Sequence, residues 1–96
     1  MKAILICLLL GLSLPYNYYG AAEYAYRHCS DYNHKYNFYK YKDPKAESVN
    51  FVSQCISEGG GQDFSGCKGR DDKGVLKDAY DLEECLISKG WKKQEE

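Results

Sequence analysis

Five cysteines, two histidines and a run in which lysines alternate with aromatic rings are the residues of this chain whose types could do chemistry. Cys7 lies in an apolar N-terminal segment. Cys29, Cys55, Cys67 and Cys85 come after it, and none stands in a Cys-x-x-Cys pair, so their spacing argues for two disulfides rather than a zinc site. His28 and His34 have no further ligand placed near them, so no metal is expected. Asp71-Asp72-Lys73-Gly74 lacks the ligand spacing of a calcium loop and reads as a turn. Glu83 and Glu84 are neighbours on an expected helix, where adjacent side chains point in different directions, so they make a solvated face rather than a carboxylate pair. Gly59-Gly60-Gly61 is not followed by Gly-Lys-Ser/Thr and is no phosphate loop. No catalytic residue, cofactor or metal is expected from these patterns, and the chain is not expected to be an enzyme.

The aromatic-basic run is the binding candidate: Lys35, Tyr36, Phe38, Tyr39, Lys40, Tyr41 and Lys42, with Lys45 just beyond. Rings between cations suit stacking on single-stranded nucleic acid, and Tyr-rich surfaces also suit protein recognition. The competing reading is a two-faced strand with one aromatic row in the core and the lysines solvated. The net charge of the whole chain is −1, and phosphate binding needs clustered positive charge. A protein partner, from a host or a competitor, is therefore favoured, with nucleic acid left open. The chain is expected to act as a monomer.

The elements that must position these residues start after a leader. Met1-Lys2 and the apolar run Ala3–Leu14 read as a signal peptide, too short for the roughly 20 apolar residues of a membrane-spanning helix. Gly20 and Ala22 suit the −3 and −1 positions of signal peptidase, with Ser13 as a weaker site. Residues 1–22 are therefore read as leader and 23–96 as one small secreted domain with a frayed tail. Secretion leaves open a further uptake into a host cell. The 44% hydrophobic content is inflated by the leader, and the remaining chain is poor in aliphatics and rich in tyrosine.

Within 23–96, the alternation of Tyr24, Tyr26 and His28 against Ala25, Arg27 and Cys29 reads as a strand. Tyr32–Lys42 reads as a second. Asp43-Pro44 opens a helix with Val49, Val52, Cys55 and Ile56 as its apolar stripe, stopped by the glycine triplet. Next come a strand around Phe64, a turn at Gly69–Gly74 and a helix capped by Asp78, the last with Ala79, Leu82, Cys85 and Leu86 inside. Gly90 ends it, before a short strand at Trp91. The expected fold is α+β: a disulfide-stapled two-layer sandwich, two helices on one face of a 3–4-stranded antiparallel sheet. Three disulfide connectivities are open. Element placement ranks Cys55–Cys85 with Cys29–Cys67 first, and Cys29–Cys85 with Cys55–Cys67 second.

Two resemblances bear on this frame. The leader, the start Tyr26-Arg-His-Cys29, the helix with Cys55, the strand with Cys67 and the helix with Cys85 before Gly90-Trp91 resemble small secreted cysteine-rich fungal effectors, most nearly the killer-toxin-like α/β sandwich group. That resemblance implies a toxin-like or virulence protein that binds a host or competitor target without catalysis, with an inhibitor or antimicrobial domain as a further alternative. Separately, Asn33-His34-Lys35-Tyr36-Asn37-Phe38-Tyr39 resembles a segment of guanine-specific fungal ribonucleases, which would make His34 a general base and Tyr36–Tyr39 a base-binding loop. The chain departs from that family: no His comes after His34 to serve as the acid, and the helix follows the segment instead of preceding it.

Overall fold

A computed structural model describes residues 16–37 and 41–93. The apolar segment through Pro15 with Cys7, the binding-run residues Phe38, Tyr39 and Lys40, and the last three residues lie outside the described residues. Three α-helices carry the architecture: α1 (Tyr18–His28), α2 (Pro44–Gln54), which continues as a π-helical turn over Cys55–Gly59, and α3 (Ala79–Ser88). Among the described residues there is no sheet, and one isolated antiparallel bridge joins Arg70 to Leu76. The expected α+β sandwich is thus overturned: the fold is helical.

The first expected strand is the second half of α1. Asn17 caps this helix, its side chain accepting from the Gly20 N–H at 2.9 Å, an interaction that contributes about 1 kcal/mol. Buried Ala21 and Tyr24 and half-buried His28 recur at the three-to-four-residue spacing of a helical face. Tyr24 and Tyr26, placed on one face by the strand reading, separate completely: Tyr24 is 7% exposed and Tyr26 is 86%. A boundary after Ala22 hides the cap and first turn, leaving too short a window to tell a period of two from one of 3.6.

The other expected strands are turns and extended loop. Around Tyr36 the chain is held by the Tyr36 N–H on the Asn33 carbonyl (3.1 Å) and the Lys35 N–H on Asn33 Oδ1 (3.0 Å). Phe64 is buried in a turn closed by the Cys67 N–H on the Phe64 carbonyl, 3.1 Å. Trp91 closes α3 instead of opening a strand. Gly90 takes φ 101°, the Gly90 N–H donates to the Ile87 carbonyl and the Trp91 N–H to the Leu86 carbonyl, both at 3.0 Å. This is a Schellman ending, and it turns Trp91 back into the core.

Both expected later helices are present with their expected caps. Asp43 accepts from the Lys45 N–H with Pro44 in the first turn, and Asp78 accepts from the Asp81 N–H. The phase of α2 differs from the expected stripe, however. Asn50, Ser53 and Gln54 are the fully buried positions, while Val52 is 44% exposed. Polar side chains can take the inner face because each finds a partner there. Tyr24 Oη donates to Gln54 Oε1 (2.6 Å), and Gln54 Nε2 donates to Asn50 Oδ1 (2.7 Å). Ser53 Oγ accepts from the Leu76 N–H (3.2 Å) and lies 2.9 and 3.0 Å from the Asn50 and Leu76 carbonyls.

The apolar core gathers Tyr36, Ile56, Phe64, Val75, Leu76, Leu82, Cys85 and Trp91 from turns as well as helices. The disulfide joins Cys67 to Cys85 across this core, with Cα atoms 5.4 Å apart, and Cys29 and Cys55 are free. Neither ranked pairing forms. Cys55 sits buried at the start of the π-helical turn, whereas Cys29 follows the end of α1 and is exposed. The assignment of Cys29 and Cys67 to strands, on which the ranking rested, is what failed.

Candidate ligand groove

α1 crosses the π-helical turn at closest approach through a glycine pair. A Cβ on Gly20 would stand 2.2 Å from the Gly59 carbonyl oxygen, and one on Gly59 would stand 2.6 Å from both the Gly20 carbonyl and Tyr24 Cβ. Only paired glycines allow the two backbones this near. The crossing places Glu58 of the turn beside Arg27 and His28 of α1, and these three, with Glu23 and Asn33, line a polar groove of about 400 Å³. Glu23 and Arg27 form an ion pair one helical turn apart. Glu58 accepts from Lys35 Nζ at 3.1 Å and from Tyr36 Oη at 2.9 Å. Those two hydrogen bonds, Lys35 first, hold its carboxyl below the usual glutamate range, with His28 adding to the effect.

A second, apolar groove of about 370 Å³ lies between the end of α1 and the first turns of α2, lined by Cys29, Tyr32, Pro44, Ser48, Phe51 and Val52 among others. The two grooves share the segment 28–33: His28 and Asn33 face one, Cys29 and Tyr32 the other. The first is mainly polar, and the second is mainly apolar with Glu47 in its lining.

Of the residues expected to bind a partner, several are used inside the protein. Tyr36 is 8% exposed and offers no free ring face. Tyr41 is half-buried, donates to Asp71 Oδ2 at 2.7 Å and has Lys77 over its ring. Burial first, then the hydrogen bond to a carboxylate, pushes both phenols well above their ordinary range. Lys35 is exposed and paired with Glu58, and Lys42 is exposed. Asn37, from the ribonuclease-like segment, is buried and donates to Asp71 and Asp72. Asp71 also accepts from the Lys73 N–H (2.9 Å) and the Val75 N–H (3.2 Å), so this Asp is a structural hub of its turn. Among the described residues no three His, Cys, Asp or Glu side chains converge as a metal site would need, and no helix is long and apolar enough to cross a membrane.

Sequence reasoning missed Glu58, Ser48, Phe51 and Arg27 as groove residues. No periodicity singles them out: the polar residues at helical spacing in Asn50-Phe51-Val52-Ser53-Gln54 mark the buried face of α2 and not a groove.

The profile of a family described as "Putative amidase domain" matches residues 15–95. The chain belongs to that family. No curated protein and no solved structure matches it. The family match is silent on fungal effectors, and the sandwich implied by that resemblance is not the architecture found.

Amide hydrolysis by a side-chain nucleophile needs that group beside a base and opposite oxyanion donors. Two groove residues are of nucleophile type. Ser48 Oγ donates to the Pro44 carbonyl at 2.9 Å, and Cys29 Sγ donates to the Tyr26 carbonyl at 3.4 Å. The buried Cys55 thiol is pushed up to about 11 by desolvation, far from the thiolate that attacks.

Proposed function

We propose that this chain is a secreted, amide-recognising member of the amidase family that binds a peptide of a host or competitor protein along the two neighbouring grooves and does not hydrolyse it. Family membership supplies the ligand class: a group organised around amide bonds. One observation carries the choice of binding over turnover. The groove hydroxyl and thiol, Ser48 and Cys29, each give their proton to a main-chain carbonyl three or four residues earlier, which is the arrangement of a satisfied structural group and not of a nucleophile facing a base. The linings of the grooves fit the ligand. The polar groove, with Arg27, His28 and Glu58, suits the polar main chain or a charged side chain, and Tyr32, Phe51 and Val52 of its neighbour suit an apolar one.

The test is to titrate the purified protein with N-acetylated dipeptide amides while following backbone amide spectra and the integrity of the ligand. The expected result is saturable shifts at Cys29, Tyr32 and Phe51 with the ligand recovered whole. Hydrolysis that disappears in Cys29→Ala or Ser48→Ala would replace this reading with a catalytic one, and absence of any saturable shift would remove the groove as the site.

A further inference from the structure

The small residues that suit signal peptidase at the end of the leader, Gly20 and Ala22, lie inside α1. The described residues before Glu23, 16–22, are built into the domain. The Asn17 side chain caps α1, and its N–H donates to the Gly60 carbonyl at 2.7 Å. Gly20 makes the close crossing with Gly59, Ala21 is 6% exposed, and the Tyr16 ring stands edge-on to Trp91 with centroids 4.8 Å apart. The family match also begins at residue 15, not at 23. A cut before Glu23 would remove the cap and first turn of an 11-residue helix and leave a remnant too short to hold itself.

We infer that the leader is removed after Ser13, with Gly11 at −3 and Ser13 at −1, so that the mature protein begins Leu14-Pro15-Tyr16 and keeps Tyr16–Ala22 as a working part of its fold. The apolar stretch Ala3–Leu10 then serves as the leader's core, within the roughly 7–15 residues such cores have, in a leader that is short beside the usual length of about 15–30 residues. This inference rests on the secretion part of the proposed function, and its test separates the two.

The full chain is expressed in a secreting eukaryotic cell, and the protein in the medium is analysed by intact mass and N-terminal sequencing. A start at Leu14 is expected. Ala22→Arg, on an exposed position of α1, should leave that start unchanged. Ser13→Arg should abolish it and leave precursor in the cells. A start at Glu23, or loss of cleavage in Ala22→Arg, would overturn the inference while leaving secretion standing. Recovery of only the intact chain beginning at Met1 would overturn the inference and the leader reading together.

Discussion

Gln54 and Asn50 sit where apolar side chains would ordinarily stand, and their partners set their energetic role. Tyr24 reaches Gln54, Gln54 reaches Asn50, and Asn33 reaches back to the Tyr24 hydroxyl at 3.3 Å. The chain of contacts therefore runs from the polar groove through the α1–α2 interface. A fully paired buried network is neutral to favourable, but removing one member strands its neighbours. Gln54→Leu, close in volume, is expected to cost about 2 kcal/mol in urea unfolding because it leaves the Tyr24 O–H without its acceptor and Asn50 Oδ1 without its donor. Tyr24→Phe, which removes one hydroxyl and leaves Gln54 able to relax, is expected to cost about half as much. An unchanged midpoint in Gln54→Leu would mean the network contributes nothing. The two free thiols offer a second test at this scale. Cys29 is exposed, whereas Cys55 is buried with its pKa pushed up to about 11, so iodoacetamide at neutral pH should label Cys29 alone in the native protein and both in denaturant. Peptide mapping after labelling reads this directly, and a Cys29–Cys55 crosslink would contradict it. The sequence made Cys55 legible as an inward residue of a helix. It left Asn50, Ser53 and Gln54 illegible, because a buried polar residue is distinguished from a solvated one only by its partners, and those come from distant segments.

Helices two and three were legible as elements because each carries its own punctuation: an Asp cap, a Pro in the first turn for α2, a Gly ending for α3. The first helix was not, because its cap, Asn17, fell on the leader side of the expected boundary. The expected strands failed for a related reason. Tyr favours extended backbone in general, but in this chain the buried Tyr36 donates to the exposed Glu58 carboxylate at 2.9 Å, a contact that fixes a turn. The helix crossing itself should be sensitive to one added carbon. Gly59→Ala would force Cβ to within 2.6 Å of α1's backbone and of Tyr24, and overpacking of this kind costs about 2 kcal/mol. Thermal unfolding measures it, and a wild-type midpoint would mean the two elements do not meet here. The docking of the 33–37 turn is expected to depend on pH through Glu58. Its folded pKa lies below the unfolded value, so its contribution is present above the ordinary glutamate range and is lost as pH falls through the folded value. Thermal midpoints of the wild type and Glu58→Gln, measured from pH 7 down to about pH 3, should therefore converge in acid. A difference that persists unchanged at the acid end would assign the effect to packing instead of charge.

At the scale of the whole molecule, the balance between core and crosslink decides stability. The core cluster contains few aliphatic residues, and a domain this small has little apolar area to bury. Among the described residues one disulfide, not two, supplements it, and it ties α3 to the turn that carries Phe64 across a sequence separation of 18. In the chain-entropy model, closing a loop of this size stabilises by about 3 kcal/mol, a large share of the roughly 5–15 kcal/mol typical of native proteins. Reduction and the double change Cys67→Ser with Cys85→Ser should therefore lower the unfolding free energy by the same amount, and reductant should have no effect on the double variant. Cys29→Ser should leave the melting temperature where it is, because that thiol crosslinks nothing among the described residues. The decisive comparison is between the reduced wild type and the double variant. Equal losses assign the whole effect of reductant to Cys67–Cys85, whereas a larger loss in the reduced wild type than in the double variant would require a second bridge involving Cys29 or Cys55. If neither treatment moves the midpoint, α3 is held by the packing of Leu82, Cys85 and Trp91 alone, and the entropic account of this disulfide is wrong.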